Sequence, residues 1–150
     1  MTTRFQTAPQ EAYTMLREVR REHFPELRNA EILILMDKKK RMSGGAIVLG
    51  RIQKANDLIK ALTEETVDEG YDYIIYLDKK MWNNCDDVDK ERVVRHELRH
   101  TFVDLDARGS PFKLIGHTIE DFYEEIELNN DDSAWRMRVA EVIAMAYEDE

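Results

Sequence analysis

The spacing of apolar and polar positions changes several times along the chain. Between Pro9 and Phe24, Ala12, Met15, Leu16 and Val19 recur at helical spacing among charged residues, which predicts an amphipathic helix. Pro9 suits its first turn and Pro25 marks its end. The segment from Glu31 to Asp37 is an unbroken apolar run bounded by charge, the pattern of a buried strand. Lys38 to Arg41 and Ser43-Gly44-Gly45 then form a basic turn, and Ala46 to Ile52 reads as a second strand. Asn56 can cap a short helix running to Leu62, and the aromatic and β-branched residues from Tyr71 to Asp78 make a third strand.

Asp86, Asp87 and Asp89 favour the positively polarised start of a long helix, which meets no Gly or Pro before Gly109. Asp106 to Pro111 is read as the loop ending it. A further helix is expected from about His117 to Leu128, a turn over 129–133, and a last helix from Trp135 to Tyr147, with Met137 and Met145 facing the core. Three short strands with helices before and after define an α+β domain. Its expected parts are a helical region (1–30), a sheet (31–78), two helices that carry the chemistry (86–128) and an acidic C-terminal helix (132–150). A length of 150 residues suits one such domain.

Charge changes the picture at one end only. The net charge of −9 argues against general nucleic-acid binding. Residues 1–118 carry 20 acids and 20 bases, whereas 119–150 carry 11 acids and two bases, Arg136 and Arg138. That acidic end is either a solvated face or a surface for a basic protein partner. Cys85 is the single cysteine, so a disulfide framework is excluded and a reducing compartment is expected. The start of the chain has no apolar leader core and no run reaches the length of a membrane span, which points to a cytoplasmic protein.

The chemistry concentrates in Arg95-His96-Glu97-Leu98-Arg99-His100, which contains H-E-x-x-H. On a helix, residues four apart leave the same face one turn apart, so two neutral imidazoles can take adjacent corners of a tetrahedral zinc. Glu97 lies about 100° around the helix from His96, placed to take a proton from a water activated by the metal and return it to a leaving amine. Four histidines and 17 glutamates in random order give this pattern in about 1% of such chains, so context has to decide. Here the motif falls in a predicted helix after a strand, between the apolar flanks Val93-Val94 and Thr101-Phe-Val103. Buried histidines beside a buried glutamate are costly without a metal or hydrogen bonds.

The third ligand is sought downstream. Val103 and Asp106 stand where the long metzincin pattern needs Gly and His, so that class is excluded. His117, Glu120, Asp121 and Glu124 would share one face if their segment were helical. His117 is the leading candidate, completing a three-histidine set, with Glu120 the alternative ligand. Asp121, Glu120 or Glu124 would orient a ligating imidazole from behind. His23 has no partner spacing. Trp82 is read as a core aromatic rather than a pocket wall, and Cys85 as a passive thiol.

Tyr71 to Asp78, Trp82, Val94 to His100 and His117 to Phe122 together resemble the putative phage metallopeptidase family, related in pattern to SprT-like zinc peptidases. The resemblance covers about residues 30–128. It implies a zincin-like minimal domain with His96, His100 and His117 as zinc ligands and Glu97 as base. Arg99 is a bulky cation inside the motif, expected to tune access to the metal, and Thr118 stands where an acid is expected beside the third histidine. The expected function is zinc-dependent hydrolysis of a peptide or protein substrate held along an edge strand. The alternative is a non-catalytic interaction module, or pseudoenzyme, using the acidic C-terminal surface.

Overall fold

The computed structural model describes residues 3–118 and 120–149. Met1 and Thr2 at the start, Ile119 in the His117 segment and Glu150 at the end of the expected last helix lie outside the described residues. The fold is α+β, and the chain divides into two compact units, residues 1–115 and 116–150.

The first unit opens with strand β1 (Phe5–Thr7), helix α1 (Gln10–His23) and strand β2 (Ile32–Asp37). Strands β3 (Met42–Ser43) and β4 (Ala46–Ile47) form a hairpin whose two-residue turn is Gly44-Gly45. Both glycines have positive φ (57° and 83°), the geometry that matches the twist of a tight hairpin. Strand β5 (Gly50–Lys54), helix α2 (Asp57–Thr63) and strand β6 (Tyr73–Asp78) follow. Asn56 caps α2 as expected, its Oδ1 accepting from the Ile59 amide at 2.8 Å. Then come α3 (Lys79–Asn84), α4 (Asp87–Arg99) and a second hairpin of β7 (Thr101–Val103) and β8 (Phe112–Leu114).

The main sheet has the order β1-β2-β6-β5, with β2 and β6 parallel in the centre and antiparallel β1 and β5 at the edges. Side chains alternate across a strand, so Ile32, Ile34 and Met36 of β2 and Tyr73, Ile75 and Leu77 of β6 line one face. Those six join Ala12, Leu16 and Val19 of α1 and Val94 and Leu98 of α4 in one buried cluster. Both helices therefore cover the same face of the sheet. At about 1.5–3 kcal/mol for each large side chain, this burial is the main force holding α4 in place. Trp82 belongs to that core and donates from Nε1 to Glu11 Oε1 at 2.7 Å.

Several expectations need correction. The second strand is interrupted: its start pairs in the small hairpin, and only from Gly50 does the chain join the main sheet. The long helix stops at Arg99 rather than near residue 106. Thr101 is β-branched, and its hydroxyl donates to the Leu98 carbonyl at 2.6 Å, satisfying one of the carbonyls left open at the helix end. The Gly109–Pro111 break belongs to the β7–β8 hairpin, whose loop is closed by the Asp104 amide donating to the Pro111 carbonyl at 2.7 Å. Strand β1 and helix α3 are additions for which the sequence pattern gave no signal long enough to read.

The second unit contains α5 (Tyr123–Leu128), a short 3-10 turn over Asn130–Asp132 and α6 (Trp135–Glu148). The expected helix from His117 starts six residues later, at Tyr123. Met137 and Met145 are 63% and 65% exposed, so they do not face a core. Within α6, Arg136 and Arg138 match Glu141 and Glu148, so the acidic excess of 132–150 comes from Asp132, Asp149 and Glu150, which flank it in sequence. Among the described residues, no helix is long and apolar enough to cross a membrane.

Candidate metal centre

Helix α4 positions the site. Its cap is Asp86, whose Oδ1 accepts from the Asp89 amide at 2.9 Å, and Asp87 and Asp89 add negative charge to the positive first turn. Val94 and Leu98 anchor one stripe of the helix in the core. That anchoring fixes the rotation of the last turn. Glu97 is turned inward at 6% exposure, while His96 is exposed and His100 half-buried.

The two imidazoles are neighbours as their spacing requires. Their ring centroids are 5.3 Å apart, and a ring nitrogen of one lies within 4.8 Å of a ring nitrogen of the other. His100 Nδ1 is 2.8 Å from the carbonyl oxygen of Ile115, just beyond β8. A carbonyl only accepts, so Nδ1 carries the proton, and in the neutral ring the lone pair then belongs to Nε2. This is the tautomer a metal ligand needs, held by a backbone acceptor. Two imidazoles one helical turn apart, beside a carboxylate, fit a divalent transition ion.

Glu97 is buried and holds its proton more tightly than an exposed carboxyl. Burial pushes its carboxyl up to about 7, with the nearby His100 acting in the opposite direction. A carboxyl near neutrality can both take and release a proton. Its neighbour across the gap is Gly50, the first residue of β5. A methyl group at Gly50 would lie 3.2 Å from Glu97 Oε2 and 3.1 Å from Val93 Cγ1. The glycine thus permits β5 to pass directly against the helix. Its position inside a predicted strand was the available signal, because such glycines mark close backbone approach. The role of the Ile115 carbonyl had no sequence signal at all. Gly50→Ala should lower stability by about 1–3 kcal/mol as the helix gives way. The denaturation midpoint reads this; an unchanged midpoint would show that the contact relaxes freely.

The downstream candidates lie in the second unit, where the premise of a shared helical face does not hold. His117 and Thr118 are exposed and non-helical. His117 Nδ1 lies 3.6 Å from Glu120 Oε1. The Glu120 carbonyl accepts from the Arg136 guanidinium, which also lies 3.5 Å from Asp121 Oδ1. Asp121 is therefore engaged with Arg136, and Glu124 is exposed in the first turn of α5. Arg99 stacks over the Phe24 ring, 4.5 Å from its centre, which gives this cation a packing role at the end of α1. His23 is grouped with Glu22 and with Glu91 of α4, not with the motif histidines.

No curated protein and no solved structure matches the chain significantly. The sequence model of the putative phage metallopeptidase family matches residues 3–147, nearly the whole of the chain and well beyond the 30–128 that carry the resemblance in the sequence. The chain belongs to the putative phage metallopeptidase family.

Proposed function

We propose that this protein is a zinc-dependent peptidase in which His96, His100 and His117 hold the metal and Glu97 is the general base and acid. The observation that carries the reading is Glu97: a buried carboxyl raised to about 7, on the helix that bears the paired imidazoles, against the edge strand β5. His117 as third ligand is supported by the chain itself. Ile115 is hydrogen-bonded to His100, and two further residues span at most about 7 Å. Glu120 beside His117 Nδ1 supports an orienting role for that carboxylate, leaving Nε2 as donor. This favours His117 over Glu120 as the ligand. Both units then serve one metallopeptidase domain, as the near-complete family match suggests.

A zinc ion in that ligand set would polarise the scissile carbonyl and acidify the attacking water. The chain supplies the rest. The Glu97 carboxylate accepts the proton of the water as its oxygen bonds to the carbonyl carbon, then passes that proton to the amine that leaves. Among the described residues β5 pairs through its backbone with β6 on one side, so an extended substrate adds along the other side by strand addition. β5 is the edge strand nearest the motif, because Gly50 brings it against Glu97. The exposed free Cys85 thiol suits a reducing, cytoplasmic setting.

The test is metal dependence. Hydrolysis of an unfolded protein substrate should vanish on chelation and return with one equivalent of zinc. Hydrolysis that survives complete chelation would refute the proposal. A second reading, an interaction module, is favoured by exposed Tyr123, Ile126 and Leu128 alternating with Glu124, Glu125 and Glu127, a surface suited to a basic partner with apolar contacts. It gains only if the metal-loaded protein cleaves nothing.

A further inference from the structure

A second feature of the first unit lies along the same strand as the proposed base. A groove of about 630 Å³ is lined by Lys54 at the end of β5, Lys60 of α2, and Arg108 and Lys113 of the β7–β8 hairpin. Asp57 is the one acid among its lining residues. Lys60 is matched by Asp72, Nζ to Oδ1 at 3.0 Å. Lys54, Arg108 and Lys113 are then left facing Asp57 alone within the groove. In a protein of net charge −9, this is a local concentration of opposite sign.

The concentration is also unfavourable for the protein alone. Burial, followed by the repulsion of Lys113 and Lys60, holds the Lys54 ammonium below its ordinary range. Asp57 offsets this only in part. Like charges held together with too few anions cost folding energy, and such arrangements are candidate places for a ligand that supplies the missing charge.

Position connects the groove to the reaction. Gly50 faces Glu97, and residues two apart on a strand share a face, so Ile52 and Lys54 point to the same side of the sheet as Gly50. Four residues of strand span about 13 Å. A peptide added along β5 with its scissile bond at Glu97 would carry a side chain into this groove about four residues away. The hairpin that walls the groove ends at Leu114, and the carbonyl of the next residue, Ile115, holds His100.

We propose that the groove bordered by Lys54, Arg108 and Lys113 is a subsite for an anionic side chain of the peptide substrate, a carboxylate or a phosphate, about four residues from the bond that is cut. The distance along the peptide rests on the peptidase reading; the anion preference does not.

The test uses labelled peptides identical except at that position, which carries Glu, phosphoserine, Gln or Lys, bound to the metal-loaded full chain with Glu97→Gln. The Glu and phosphoserine peptides should bind at least about tenfold more tightly than the Gln peptide, and the Lys peptide more weakly. Their relative affinities tell a carboxylate site from a phosphate site. A Lys54→Ala/Lys113→Ala variant should erase the preference, bind the Gln peptide as before and melt no lower at low salt, since it removes repulsion. Lys39→Ala/Lys40→Ala, which removes equal charge from the basic turn, should keep the preference. Equal affinity for all four peptides, or equal loss in both double variants, would overturn the subsite. Hydrolysis by the unmodified protein is scored in parallel: selective binding without cleavage leaves the subsite and removes the peptidase, whereas cleavage without selectivity does the reverse.

Discussion

Replacing Glu97 with Gln is expected to reduce kcat by about 10³-fold while the metal stays bound. Gln keeps the shape and one hydrogen-bonding oxygen, so the buried position beside Gly50 stays filled. It cannot accept a proton, however, and the water then attacks without a base. Metal content should remain at the unmodified level because the imidazoles of His96 and His100 are untouched. If the variant cleaved peptides at near the original rate, Glu97 would have no part in proton transfer.

The same substitution has a second, independent consequence in metal-free protein. Glu97 rises from an ordinary value of 4.5 to about 7 on folding because its charged form is buried. Between those values the native state holds the proton more tightly than the unfolded chain. Stability from this group is therefore fully present below about pH 4.5 and is lost as pH rises toward 7. The shift corresponds to about 3 kcal/mol. The stability of the Gln variant relative to the unmodified apoprotein should thus grow by about that amount between pH 4.5 and 8, measured by denaturation in chelator. A pH-independent difference would mean that Glu97 is hydrated or paired in the folded protein.

The second large effect is expected at His100. His100→Ala removes one nitrogen donor and also the ring that holds the Ile115 carbonyl at 2.8 Å. Structural zinc sites gain about 10–16 kcal/mol from three or four ligands, so one ligand accounts for about 4 kcal/mol. Zinc affinity should fall about 10³-fold. Competition with a chelator of known affinity measures it. His23→Ala, on α1 and outside the motif, serves as the control and should leave the affinity unchanged. Equal affinity in the His100 variant would remove this residue from the ligand set.

The parts of the fold that were legible have a common cause. α1, β2 and β6 each follow from a local period of apolar residues, and each appears within two residues of its expected bounds. The α2 cap was legible because an Asx side chain and its target amide are three residues apart. The breaks in the pattern were harder to assign. Gly109 and Pro111 mark a reversal, but a helix end and a hairpin loop use the same residues. The chain leaves α4 earlier because Thr101–Val103 pairs with Phe112–Leu114, a partner that local propensity cannot reveal. For His117 the period misleads: the spacing suits a helical face, but the described residues between Ile115 and Phe122 are not helical.

The sequence by itself determined the layout of the motif. Four-residue spacing on a helix puts His96 and His100 on one side, whatever surrounds them, because the period of the helix is a property of the backbone. It also determined the α+β class and the family. Only the tertiary structure decided which way that helix faces and what Glu97 becomes. The anchoring of Val94 and Leu98 against β2 and β6 turns Glu97 inward, and the missing side chain of Gly50 lets a strand from 47 residues earlier close over it. Burial then raises its carboxyl to about 7, and no local pattern encodes burial by a distant strand. The same holds for Lys54, Arg108 and Lys113, which are unremarkable in the sequence and become a positive groove only when β5 and the hairpin meet.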